Sequence, residues 1–202
     1  MSPAGSRGST EAAGRTWLVI ILGALSAFGP PSIDMHLPAL PQIGRDFAAS
    51  ALQVQVTLNA CVLGLALGQM IAGPLSDAVG RRRPLLIHVA AYAVASLLCM
   101  AAPSPGALIA LRFMQGLAGA AGIVISRAVV RDLQEGVAAA HFFSLLMLVN
   151  GLAPLIDGPL RRATSWRGIF AVLSLIGALL LAGTASGLRE TLAAGNRRPS
   201  AG

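Results

Sequence analysis

The sequence predicts an all-α membrane protein with six transmembrane helices, and three observations predict it. Hydrophobic residues make up 55 % of the 202-residue chain and charged residues 11 %, against roughly 25 % charged in a typical soluble domain. Mean hydropathy is +0.72. The charges cluster, leaving uncharged runs long enough for a bilayer crossing, which takes about 20 residues. The net charge of +7 comes from fifteen basic residues, all of them arginine. In a soluble chain such a balance suggests nucleic acid. Here the arginines sit between apolar runs, where positive charge sets topology. Aromatic residues, at 4 %, are too few for base-stacking platforms. The expected environment is the lipid bilayer, with no nucleic-acid partner.

Residues 1–15 are small, polar and Gly/Ser-rich and read as a disordered cytoplasmic N-terminus, and 192–202 as a disordered cytoplasmic tail. Between them, 16–191 forms one transmembrane domain. The run 16–33 carries no charge, is too long for most signal-peptide cores and is followed by no clear cleavage site. It gives a first span at 17–37. The uncharged stretch 47–76 gives a second at 51–74. Residues 84–126, interrupted only by His88 and Arg112, would exceed about 60 Å as one helix, twice the hydrocarbon thickness. Pro103-Ser-Pro-Gly106 in their middle is a strong turn signal. They divide into a third span at 84–102 and a fourth at 106–126. Residues 136–156 and 168–188 supply the fifth and sixth.

Six spans place both termini on one side. With the N-terminus inside, ten arginines fall inside and four outside (Arg45, Arg161, Arg162 and Arg167), so both termini are expected in the cytoplasm and the protein in the cell inner (plasma) membrane. Cys61 and Cys99 lie in apolar segments at depths differing by roughly 10 Å, which favours packing over a disulfide.

Ionisable groups inside spans are functional candidates, because burying a charge in lipid costs several kcal/mol. Asp34 near the outer end of the first span and Arg112 near the outer end of the fourth lie within about 5 Å in depth. They can pair or share a polar cavity, or each can snorkel to the outer interface. Asn59 and Gln115 also fall in the outer half, as cavity-lining polar groups or as interhelical glue. Gly64-x-x-x-Gly68 and Gly116-x-x-Gly119-x-x-Gly122 offer small faces for close helix packing.

The segment Gly73-Pro-Leu-Ser-Asp77-Ala-Val-Gly80-Arg81-Arg-Arg-Pro84 is the most specific pattern in the chain. Its brevity demands a tight cytoplasmic turn. Gly73 and Gly80 permit close approach and unusual φ, and Pro84 suits the first turn of the next helix. Asp77 can meet a helix N-terminus or a neighbouring arginine.

Residues 73–82 resemble the loop 2–3 signature of the major facilitator superfamily. Asp34-Met-His-Leu-Pro-Ala-Leu-Pro41 resembles the end of helix 1 in its drug-efflux branch, the bicyclomycin/chloramphenicol-resistance transporters. Arg112-Phe-Met-Gln-Gly116, Arg127-Ala-Val-Val-Arg-Asp132, Trp166-Arg167 with Phe170, and Glu190-Thr191 match further landmarks, in order, over about residues 17–191. The resemblance implies proton-coupled export of small lipophilic or cationic compounds, driven by the proton gradient with no bound cofactor. Asp34 would exchange protons or sense cationic substrate. Arg112 would couple protonation to cavity shape, and Gly73, Asp77, Gly80 and Arg81 would form a conformational latch at the cytoplasmic face.

The chain departs from the family pattern at Ala78, where a basic residue is usual, at His36 in place of tyrosine, and at 153–162, where arginines replace glycines and Asp157 reads as interfacial. The superfamily uses two six-helix halves around a midplane site, and this chain matches one. It is expected to act as a homodimer or with a complementary half, or to be an inactive or regulatory fragment. An intramembrane protease is a remote alternative: His88 and His141 lie near cytoplasmic helix ends, and no Gly-x-Ser-Gly elbow occurs.

Overall fold

A computed structural model describes residues 21–26, 33, 37–133, 144 and 164–187. After a helical stretch at 21–26 comes a single 3-10 turn, Leu37–Ala39, leading into a short helix α1, Leu40–Asp46. Four long helices follow: α2 (Ala51–Val79), α3 (Arg82–Met100), α4 (Pro105–Leu133) and α5 (Trp166–Gly187). All four are long and apolar enough to cross a membrane. They correspond to the second, third, fourth and sixth spans. The fifth span with Asp157, most of the first span including Asp34, and both terminal segments lie outside the described residues.

Local chemistry explains where the helices begin. Ser50 and Gln53 form a reciprocal capping box: the Gln53 amide N–H donates to Ser50 Oγ at 3.3 Å, and the Ser50 N–H donates to Gln53 Oε1 at 3.0 Å. Pro105 opens α4 behind Ser104, whose Oγ accepts the Ala107 N–H at 3.2 Å. Ser165 caps α5 in the same way through Gly168, at 3.3 Å.

The ends correct the sequence reading. α2 runs five residues past its expected end, straight through Pro74. α4 runs seven residues past 126 and carries Arg127, Arg131 and Asp132 within the helix. An apolar run ends where the hydrocarbon ends, whereas a helix can continue into the polar layer. The turn between α2 and α3 is therefore shorter than expected. It comprises Gly80 and Arg81 alone, with Gly80 at φ 108 and ψ 164. That is a backbone region essentially confined to glycine. Gly73 is mid-helix, and a β-carbon there would meet only Val124 Cγ1 at 3.8 Å, so no close approach requires it. The helix α1 is also unanticipated: Pro41, Arg45 and Asp46 break the apolar signal, yet Pro41 suits a first helical turn.

Packing is closest between α2 and α4. A β-carbon on Gly64 would fall on the Phe113 carbonyl, and one on Gly116 on the Cys61 carbonyl; one on Gly68 would lie 2.5 Å from the Leu117 carbonyl. The two backbones are in direct contact, as small-residue faces allow in lipid. Gly122 gives the 21–26 stretch the same access to α4 through the Leu25 carbonyl, at 2.9 Å. α3 packs on α4 and on α5, where Gly177 faces Ala93 and Ser174 Oγ donates to the Ala93 carbonyl at 2.9 Å. Cys61 and Cys99 are buried and free. Two apolar clusters fill the bundle, one around Ile43, Tyr92, Leu108, Trp166 and Phe170, the other around Leu22, Leu25, Leu85, Ile125 and Val129.

Candidate functional site

Arg112 has no exposed surface. It does not extend to either end of the bundle. Its Nη1 donates to Gln115 Oε1 at 2.5 Å, Gln115 Nε2 donates to Ser96 Oγ at 2.7 Å, and Ser96 Oγ donates to the Tyr92 carbonyl at 2.8 Å. The guanidinium carbon also lies 5.6 Å from the centre of the Phe170 ring, within cation–π range. Helix periodicity puts Arg112 and Gln115 one turn apart on a single face of α4. Glycines at 116 and 119 bring that helix close to its neighbours. A guanidinium is thus held in an apolar bundle by a string of polar groups from α4 and α3.

Asn59 is not part of this string. It is exposed, in a groove of about 610 Å³ between α2 and α4 that is lined by Val56, Leu63, Ile109, Phe113 and Met114. Arg112 and Gln115 are fully buried whereas Asn59 is exposed, so the structure separates polar groups that depth alone had placed together.

At the Gly80 end, Arg81 links three segments. Its Nη1 pairs with Asp77 Oδ1 and donates to Ser76 Oγ at 2.8 Å, and its Nε donates to Asp132 Oδ2 at 3.0 Å. Ser76 Oγ in turn donates to the Gly73 carbonyl at 2.9 Å. Gly73, Asp77 and Arg81 are thus linked through Ser76 and the arginine, and Gly80 makes the turn beside them, its N–H on the Ser76 carbonyl. Asp132, on the last turn of α4, is a partner that sequence reading did not assign to Arg81. Burial alone would depress the Arg81 pKa. The bonds to Asp132 and Asp77 outweigh it and raise the value above the ordinary one for arginine. Arg82 adds a further tie, donating from Nη2 to the Ala185 carbonyl of α5 at 2.9 Å.

At the opposite end, Asp46 of α1 accepts the Trp166 indole N–H at 2.7 Å and pairs with Arg167 at 3.3 Å, while Gln42 Oε1 accepts the Trp166 backbone N–H at 3.2 Å. Trp166, Arg167 and Phe170 stood out in the sequence. Gln42 and Asp46 did not, since nothing local connects them to residues 120 positions on. His88 Nδ1 donates to its own helix at the Pro84 carbonyl, at 2.8 Å. Among the described residues no three His, Cys, Asp or Glu side chains come together to hold a metal ion.

A family model described as Major Facilitator Superfamily matches residues 14–200. An uncharacterized MFS-type transporter of Bacillus subtilis, YdgK, is 45 % identical over 192 residues, covering 92 % of this chain and 48 % of that protein. A bicyclomycin resistance protein homolog of Haemophilus influenzae is 38 % identical over 185 residues, covering 90 % and 46 %. Multidrug resistance protein D of Escherichia coli is 34 % identical over 163 residues, covering 79 % and 41 %. The chain thus spans about half the length of the curated relatives it matches. In structure it is similar to the human organic anion transporter MFSD10, with a TM-score of 0.71 at 20 % identity over 93 % of this chain and 50 % of that one.

Proposed function

This chain belongs to the Major Facilitator Superfamily, and on that premise we propose that it serves as one six-helix half of an exporter of small drug-like compounds, driven by the proton gradient across the cell inner membrane. The observation that carries the reading is Arg112: a fully buried guanidinium, bonded to Gln115 and ringed by Phe170. An ionisable side chain buried inside a span is costly in lipid and is by default a candidate for a substrate or ion route. Relatives named for resistance to bicyclomycin, chloramphenicol and several drugs support the substrate class. In this reading Asp34 is the acid that trades protons, Arg112 biases its charge, and the Gly73–Asp77–Gly80–Arg81 network latches the cytoplasmic end, with both termini on that side.

The exposed amide of Asn59 on an otherwise apolar groove supports a second half covering that face, since an amide exposed to hydrocarbon is unfavourable. The partner is a second copy of this chain or a complementary six-helix half inserted in the same orientation, as the parallel repeats of this superfamily are.

Ethidium or chloramphenicol efflux from cells expressing the chain tests the proposal, read together with crosslinking in native membranes. Efflux that stops on collapsing the proton gradient, and is lost in Asp34→Asn and Arg112→Ala variants that still insert, is the expected result. Efflux that persists after collapse refutes the coupling. Efflux by demonstrably monomeric protein refutes the need for a second half.

A further inference from the structure

We infer that the end of the bundle opposite Gly80 carries a separate recognition site for planar organic cations, of the guanidinium or aryl-amidinium type, and that the protein's own Arg167 occupies it. The Arg167 guanidinium carbon lies 4.2 Å from the centre of the Trp166 ring and 5.9 Å from that of Phe47, and Nη1 reaches Asp46 Oδ2 at 3.3 Å. The two rings stand 5.5 Å apart at 52°. An aromatic floor, an aromatic wall and a carboxylate are the groups that recognise such cations.

The box is held in shape by contacts other than its occupant. Asp46 is fixed by the Trp166 indole, the Trp166 backbone by Gln42, and the Trp166 ring packs edge-on against Phe170 at 6.1 Å. Walls fixed in advance favour binding. Arg167 is held far more loosely: its side chain is 46 % exposed and that of Asp46 37 %, the solvent-facing class of ion pair that contributes little. Among the described residues both side-chain bonds to Asp46 fall on Oδ2, which leaves Oδ1 for a second N–H donor of an incoming cation. The site lies one aromatic layer from Arg112, with Phe170 between them. It stands without the export reading, since binding requires no transport.

Titration of phenylguanidinium into the full chain in lipid nanodiscs tests the site. The chain has two tryptophans, so a Trp17→Phe background makes Trp166 the sole emitter. A saturable change in Trp166 emission is expected, with affinity rising about tenfold in Arg167→Ala as the tethered competitor is removed. Asp46→Asn should weaken binding about tenfold, and Arg83→Ala, at the other end of the bundle, should leave it unchanged. If Asp46→Asn does not fold, Phe47→Leu, which removes the wall and spares the ion pair, should weaken binding several-fold. No saturable change in Arg167→Ala, or equal affinity with and without Arg167, overturns the inference. Loss in Asp34→Asn with Asp46→Asn silent also overturns it, and leaves the export reading standing.

Discussion

Arg81 and Arg112 are both buried, and their surroundings differ in kind. Arg81 lies between two carboxylates, Asp77 and Asp132, at the rim of the bundle; Arg112 gives its Nη1 to the neutral amide of Gln115 inside it. Removing a partner from either leaves a donor poorly satisfied, at a cost of about 1–3 kcal/mol. Asp132→Asn should therefore lower stability by about 1–2 kcal/mol, with half-exposed Asp77 retaining part of the tie. Gln115→Leu should lower it by about 1–3 kcal/mol; thermal unfolding in detergent measures both. Pairing raises the Arg81 pKa, so its contribution is present in full below the ordinary value and is lost only as pH rises through the higher folded one. Stability arising from this arginine should accordingly be flat from pH 6 to 10. Arg112 and Gln115 were legible as candidates because a charge and an amide interrupt an apolar run. Asp132 was legible only as the end of a motif, because nothing local pairs it with Arg81, 51 positions earlier.

At the scale of elements, the glycines divide into those the fold requires and those it tolerates. Gly64→Val should force α2 and α4 apart and cost about 1–3 kcal/mol or more, whereas Gly73→Ala, with only Val124 nearby at 3.8 Å, should be neutral or stabilising by up to about 1 kcal/mol. Gly80→Ala should cost about 1–3 kcal/mol from backbone strain alone. Chemical unfolding of the three variants side by side checks the ranking, and equal effects would refute it. The spans themselves were readable, since hydropathy directly reports residence in lipid. Their ends were not: the lengths of α2 and α4 are set by capping and by polar ties at the rim, which hydropathy does not register. The short helix α1 escaped for the same reason.

Across the whole molecule, polar ties pin the bundle at both ends while glycine packing closes its middle. Asp46 joins α1 to α5 at one end, and Arg81 and Arg82 join α2, α4, α3 and α5 at the other. The 29 residues of α2 separate the two ends by about 43 Å. Sites so distant act independently, so the destabilisation of an Asp46→Ala, Asp132→Ala double variant should equal the sum of the single effects within about 0.5 kcal/mol. A larger deviation in thermal unfolding would show that the two ends move as one.

Several of these ties end on a main-chain carbonyl. Arg82 reaches the carbonyl of Ala185, and Ser174 that of Ala93. Such a contact binds one side of a pair to its identity and leaves the other side free: any small residue at 185 or 93 presents the same oxygen. Replacing Arg82 or Ser174 should therefore loosen α5 against α3, whereas another small residue at 185 should leave the tie from Arg82 in place.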